Sequence, residues 1–245
     1  MLDKLRNRAV SALIFLFLGS VPYLFCCPKK LDVPERLVYN VSWKFLKVGY
    51  GTLEVIGLTE FNATKAYHIH STARSSSFFD NFFKVRDSND SYIDAEYFRS
   101  LCFKQQIREG RYKRDKNIVF DHSNMTATNH KNEIFPIPEN ALDVLAALYW
   151  IREQNLTTGV SFHIPVNSGK KSFNMEVRIT GKEKIKISGK KYSTIIVEPM
   201  LEDAGIFLSK GYLKIWMTDD DAHIPVKMQS EIAVGSIVAE LDTEK

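Results

Sequence analysis

Residues Gly211–Ser230 read GYLKIWMTDDDAHIPVKMQS. Leu213, Ile215 and Met217 fall on one side of an alternating pattern, with Tyr212, Lys214 and Trp216 on the other. Beyond the acidic tip Ile224, Val226 and Met228 resume the apolar side, opposite Lys227 and Gln229. A period of two marks strands with one face on a core and one in water. Aspartates bond nearby backbone amides and so suit turns, and Pro225 suits a strand start. The segment is therefore expected to be strand, turn, strand. As a metal centre it lacks converging ligands, and it has neither the glycine nor the closing glutamate of an EF-hand.

The same period recurs through the chain. In RLVYNVSWKF, Leu37, Tyr39, Val41, Trp43 and Phe45 alternate with Val38, Asn40, Ser42 and Lys44. In KSFNMEVRIT, Phe173, Met175, Val177 and Ile179 alternate with Asn174, Glu176 and Arg178. Glycines at 49, 51, 110, 169, 181 and 189 punctuate these runs. Short strands at that spacing predict a mostly β fold: one large antiparallel meander, either an open curved sheet, a half-barrel or a barrel.

One segment breaks the pattern. IPENALDVLAALYWIREQNLTTG carries Leu142, Leu145, Leu148, Tyr149 and Arg152 at helical spacing. Asn140 can cap such a helix, with Asp143 favouring its positive end and Gly159 lying beyond it. One helix is predicted over about 141–154, packed on or into the sheet to cover its apolar face. Asp143 and Arg152 are too far apart for a direct pair along the helix, so each needs a partner elsewhere.

The 245 residues are 44% hydrophobic and 25% charged, which excludes a disordered chain. A net charge of +4, evenly spread, gives no case for nucleic acid. The start differs from the rest. Lys4, Arg6 and Arg8 precede an apolar run from Ala9 to Cys27, the arrangement of an export signal over residues 1–28. The run is also long enough to be a retained membrane anchor. LFCC faintly resembles a lipoprotein box ending at Cys27, although Phe25 and Cys26 are bulkier than such a box needs. Residues 29–245 are parsed as a single domain whose one cysteine, Cys102, lies in a strand pattern and reads as a buried structural thiol.

No catalytic constellation can be assembled. There is no HExxH, no G-x-S-x-G and no phosphate-binding glycine loop. His68 and His70 share one strand face but show no third ligand, so neither a metal site nor a cofactor is expected. An enzyme using Asp219–Asp221 would need His223, or His68 and His70, to converge on those acids. The odd segment is STARSSSFFDNFFKVRDSND. Phe78, Phe79, Phe82 and Phe83 crowd one short stretch near Arg74, Lys84 and Arg86. They read either as core aromatics in a turn or as an aromatic lip at a cavity mouth or membrane surface.

Three ordered segments carry a resemblance: YNVSWKFLKVGYGTLEV, ALDVLAALYWIRE and LKIWMTDDDAHIPVKMQSEIAVGSIVAEL. Together, over about 36–242, they resemble a bacterial domain-of-unknown-function family exported to the periplasm or outer envelope. The resemblance implies a β-rich envelope protein and no catalytic residues to carry over. The expectation is a non-enzymatic protein of the periplasm or outer-membrane periplasmic face. It would bind a lipid or other hydrophobic ligand in the curved sheet, through Phe78, Phe79, Phe82, Phe83, Trp43, Trp216, Tyr149 and Arg152. The alternative is an assembly or scaffold factor that binds another envelope protein.

Overall fold

A computed structural model describes residues 31–200, 213–232 and 235–244. The segment expected to be an export signal or anchor, with Cys27, and Tyr212 lie outside the described residues. The described residues form one 14-stranded sheet, antiparallel throughout and not closed. Its first half is β1 (Glu35–Trp43), β2 (Leu46–Phe61), β3 (Thr64–Ser75), β4 (Arg86–Asp94), β5 (Ser100–Glu109), β6 (Tyr112–Asp121), β7 (Thr126–Asn129) and β8 (Ile134–Pro136). After helix α1 (Val144–Arg152) come β9 (Ser161–Asn167), β10 (Ser172–Ile187), β11 (Lys190–Pro199), β12 (Leu213–Thr218), β13 (Pro225–Ile232) and β14 (Gly235–Leu241). Chain neighbours are sheet neighbours in each half, and the halves join where β1 pairs with β14, Tyr39 opposite Leu241.

The two free edges are thus β8 and β9, consecutive in the chain. The residues between them seal the gap without pairing the two strands. Leu142 makes a parallel bridge to Val166, donating to Pro165 at 2.8 Å and accepting from Asn167 at 2.8 Å. On the other side Ser100 donates to the Ala141 carbonyl at 3.1 Å. Lys116 on β6 reaches the Ser168 carbonyl at 3.0 Å, and Lys170 pairs with Glu133 at 2.7 Å.

One face of β1–β4 and β9–β14 meets α1 in a common core, while Phe103, Ile118, Phe120, Ala127 and Phe135 of β5–β8 pack a second cluster against Val144 and Leu145 of the helix. Tyr39, Val55, Ile69, Ile93, Ile164, Val177, Val197, Ile215 and Met217 pack there with Leu142, Ala146, Tyr149 and Ile151. Only a concave face can bring strands so far apart in the sheet around one short helix. The opposite face carries a smaller cluster of Ile187, Ile196, Trp216 and Val226. Val226 departs from the alternation read in the sequence. The register slips between Trp216 and Met217, and that bulge turns Val226 and Ile224 to the Trp216 side.

The helix starts three residues later than expected, and Asn140 is not its cap. Ala141 and Leu142 are extended and bonded to β5 and β9, so the cap falls to Asp143. Its Oδ1 accepts from the Leu145 and Ala146 amides at 2.9 and 3.1 Å. Its Oδ2 accepts from the Ser91 and Ser100 hydroxyls at 2.7 and 2.6 Å. Burial pushes this carboxyl above its usual range, while the two serines and the two amides pull it down. Losing a cap costs about 1 kcal/mol, and orphaning buried hydroxyls adds roughly 1–3 kcal/mol. Asp143→Ala should therefore lower the stability read by urea unfolding by about 3 kcal/mol. Asp143→Asn, which keeps an acceptor for the amides, should lose visibly less.

Lys116 offers a pH test of the seal. Burial, with Arg114 second, lowers its ammonium from 10.5 to about 8. Between those values the unfolded chain holds a proton that the folded chain has released, so stability should rise with pH across that window. Urea midpoints from pH 7 to 10.5 should show this rise relative to Lys116→Met, which lacks the titrating group.

Candidate functional site

The C-terminal end of α1 carries a closed polar cluster. Arg152 grips Glu35 through both ends of its guanidinium, at 2.8 and 2.7 Å. It also donates to the Ala222 carbonyl at 3.3 Å, and its plane lies 4.8 Å from the Tyr149 ring centre. Tyr149 donates to Glu35 at 3.1 Å. Tyr39 donates to the Pro225 carbonyl at 2.9 Å, and His223 Nδ1 meets the Arg152 carbonyl at 2.6 Å. Burial opposes the charge on Arg152, but Glu35 outweighs it and holds the guanidinium above its usual range. Burial likewise raises the Tyr39 and Tyr149 hydroxyls far above the ordinary phenol value.

A cavity of about 270 Å³ opens beside this cluster, lined by Leu31, Asp32, Glu35, Val55, Tyr149, Arg152, Glu153, Asp221 and Ala222. Its four carboxylates face one arginine that Glu35 already neutralises. Such a lining suits neither an acyl chain nor an anionic headgroup. The Asp219–Asp221 tip is the expected turn between β12 and β13. Asp219 pairs with Lys182 at 2.7 Å, and Asp220 accepts from Thr218 and the Ala222 amide at 2.6 and 3.1 Å.

The opposite end of the sheet is different in kind. There the β1–β2 turn, the β3–β4 connection and the β5–β6 turn form one rim. Phe45 is 87% exposed, Phe82 74%, Phe78 66% and Phe83 54%, so these aromatics are not core. The loop that presents them is fixed. Arg86 holds both oxygens of Asp80, at 3.0 and 2.5 Å, and Ser75 donates to the same carboxylate. Those contacts, Arg86 first and Ser75 next, keep Asp80 below its usual range. Phe78 meets Phe79 edge-on at 5.3 Å and Phe82 at 5.6 Å. Phe83 lies over Gly110, whose φ of +58° and lack of a Cβ admit the ring; a Cβ there would sit 2.9 Å from it. Lys44, Lys47, Lys84, Arg111 and Lys113 are exposed on the same rim.

Below the rim the concave face is uncovered by α1. Alternation from the core residues Tyr39, Ile69 and Ser91 puts Val41, Trp43, Ser71, Ala73 and Asn89 on that face, all half-buried. Ile237, opposite Trp43, joins them, and Ser71, Asn89 and Gln105 form a hydrogen-bonded row. The predicted ligand residues thus fall in three places. The phenylalanines and Trp43 are at the rim and the trough beneath it. Tyr149 and Arg152 are at the far end beside the acidic cavity. Trp216 is on the outer face, donating to Glu183 at 2.8 Å between Lys214 and Lys227.

His68 and His70 do not approach Asp219–Asp221. They lie on the outer face of β3, where Asp90 of β4 stands between them. Cys102 is buried on β5, its thiol raised to about 11 by burial.

A family model described as a protein of unknown function, DUF3108, matches residues 38–242. The chain belongs to this family. No curated protein matches it. Among solved structures it is similar to a β-barrel-like protein of the unknown-function domain DUF1849 from Brucella abortus. The identity is 7% and the TM-score 0.54, over 85% of this chain and 95% of that one. That likeness is one of fold. The three segments that carried the family resemblance meet in space at the Arg152 cluster: Tyr39 from the first, Tyr149 and Arg152 from the second, Ala222 and Pro225 from the third. Glu35, which joins them, precedes the matched region and gave no sequence signal.

Removing one partner of a buried ion pair costs about 3–5 kcal/mol, because the other charge is left unpaired. Glu35→Leu or Arg152→Met alone should lower urea stability by that order. The double variant should recover most of the loss, a coupling that a double-mutant cycle measures directly.

Proposed function

We propose that this DUF3108 protein is a non-enzymatic lipid-binding protein of the cell envelope, whose contact with lipid is made at the phenylalanine rim. The observation that carries this reading is the lip of Phe78, Phe82 and Phe83, held outward by the Asp80–Arg86 pair among exposed lysines and arginines. Each exposed phenylalanine forgoes roughly 1.5–3 kcal/mol of burial, a cost that an apolar partner would return. The surrounding cations suit anionic headgroups. The trough below, with Trp43, Val41 and Ile237 on one side and Ser71, Asn89 and Gln105 on the other, offers an acyl chain an apolar wall beside a polar one. The acidic cavity at the other end is no part of this lipid path.

Co-sedimentation with vesicles of phosphatidylglycerol and phosphatidylethanolamine tests it. The protein should partition onto these vesicles, more weakly onto pure phosphatidylcholine, and less as salt rises. Phe78→Ser with Phe82→Ser should cut partitioning by about a hundredfold, from two lost phenylalanine burials, with the far-ultraviolet circular dichroism unchanged. Equal partitioning of the variant and the parent would sink the proposal.

A further inference from the structure

On the outer face, away from both the rim and the cavity, three ligand-bearing side chains converge. Antiparallel register sets His70 directly opposite Asp90 and His68 opposite Tyr92. His68 Nε2 lies 2.8 Å from Asp90 Oδ1, and His70 Nδ1 lies 2.9 Å from the same oxygen. The three ligand atoms all fall within 4.8 Å of one another. The side chains are 23%, 25% and 28% exposed, so water could have hydrated each alone, yet both imidazoles turn to one carboxylate oxygen. Tyr92 stacks on His68 at 4.6 Å and 7°, which fixes that ring.

We infer that His68, His70 and Asp90 form a binding site for one divalent transition-metal ion, with Zn2+ as the representative. Two imidazoles and a carboxylate are a donor set that takes zinc, iron, nickel or copper. Zinc sits about 2.0–2.2 Å from such nitrogens and oxygens, which puts tetrahedral ligand atoms roughly 3.3 Å apart. The oxygen–nitrogen separations of 2.8 and 2.9 Å open by about half an ångström to reach that spacing. Three protein ligands leave a fourth position to water on this accessible face. Neighbouring charges do not fill the place of the ion. Glu54, opposite His70, is paired with Arg36 at 2.5 Å, and Lys104, opposite Asp90, lies over the Tyr92 ring at 5.5 Å. When the ion binds, it replaces the ring protons shared with Asp90, which move to the other nitrogen of each imidazole.

The test is zinc titration of the full chain in mild detergent, stripped beforehand with a chelator, against a chromophoric competitor. Asp90→Asn and His70→Gln are titrated alongside. The parent should take one tight equivalent, and each variant should bind it at least tenfold more weakly. Cobalt loading should give the parent the visible absorption of a four-coordinate nitrogen and oxygen site, and Asp90→Asn should lack it. A parent with no tight equivalent overturns the inference. So does a tight equivalent retained in both variants, which would place the ion elsewhere, for instance at Cys26 and Cys27. Should His70→Gln fail to fold, Asp90→Asn and the cobalt spectrum decide the matter, because Asp90 is partly exposed and holds up no core.

Discussion

A nine-residue helix cannot hold itself together in water, and here one must cover the concave face of a 14-stranded sheet. Two buried side chains at its ends, Asp143 and Arg152, make that possible. Asp143 accepts from the first amides of α1 and from serines on β4 and β5; Arg152 takes Glu35 and a carbonyl of the β12–β13 turn. Each of the two ties the helix to strands on a different side of the sheet. The helix is therefore fixed in position and in rotation, and Ala146, Tyr149 and Ile151 face the core as a consequence. A greasier helix would cover the same area but could slide along the concave wall. The ion pair itself is a weak source of net stability, since desolvating both charges offsets their attraction. Its two-point geometry is met in the placement that α1 adopts.

The two ends of the molecule follow from this placement. Where α1 lies, the interior is filled, and a small acidic cavity opens beside the helix's C-terminal end. Where it does not reach, the strands continue past the core and their inner residues stay half open. The phenylalanine rim crowns that open end. The acidic groups and the exposed aromatics thus stand at opposite ends of the strand axis.

Much of this was legible in the sequence because strand alternation and helical spacing are local signals. The hairpin at Asp219–Asp221, the single helix and the phenylalanine cluster each sit within a stretch of twenty or so residues. What escaped depends on register. Asp90 completes the histidine pair only because β4 is aligned so that residue 90 faces residue 70, an alignment no local pattern encodes. Glu35 lies over a hundred residues from Arg152 and looks like any strand-start acid. Local spacing points to Asn140 as the cap and to Asp143 only as an acid at the positive end; Ala141 and Leu142, whose backbone bonds to β5 and β9 hold them extended, put the start at Asp143 instead. Val226 changed face because a bulge in a neighbouring pair moved it.

The pairing of β1 with β14 also bears on how the chain is made. The strand that completes the middle of the sheet is the last of the described strands, and Tyr39 waits some two hundred residues for Leu241. Contacts of such sequence separation make folding slow. Until then β1 is an edge with open hydrogen-bonding groups, and the concave face has no second half to close against. A chain that still lacks β14 therefore carries an unpaired edge, the kind of surface through which unfinished copies pair with one another.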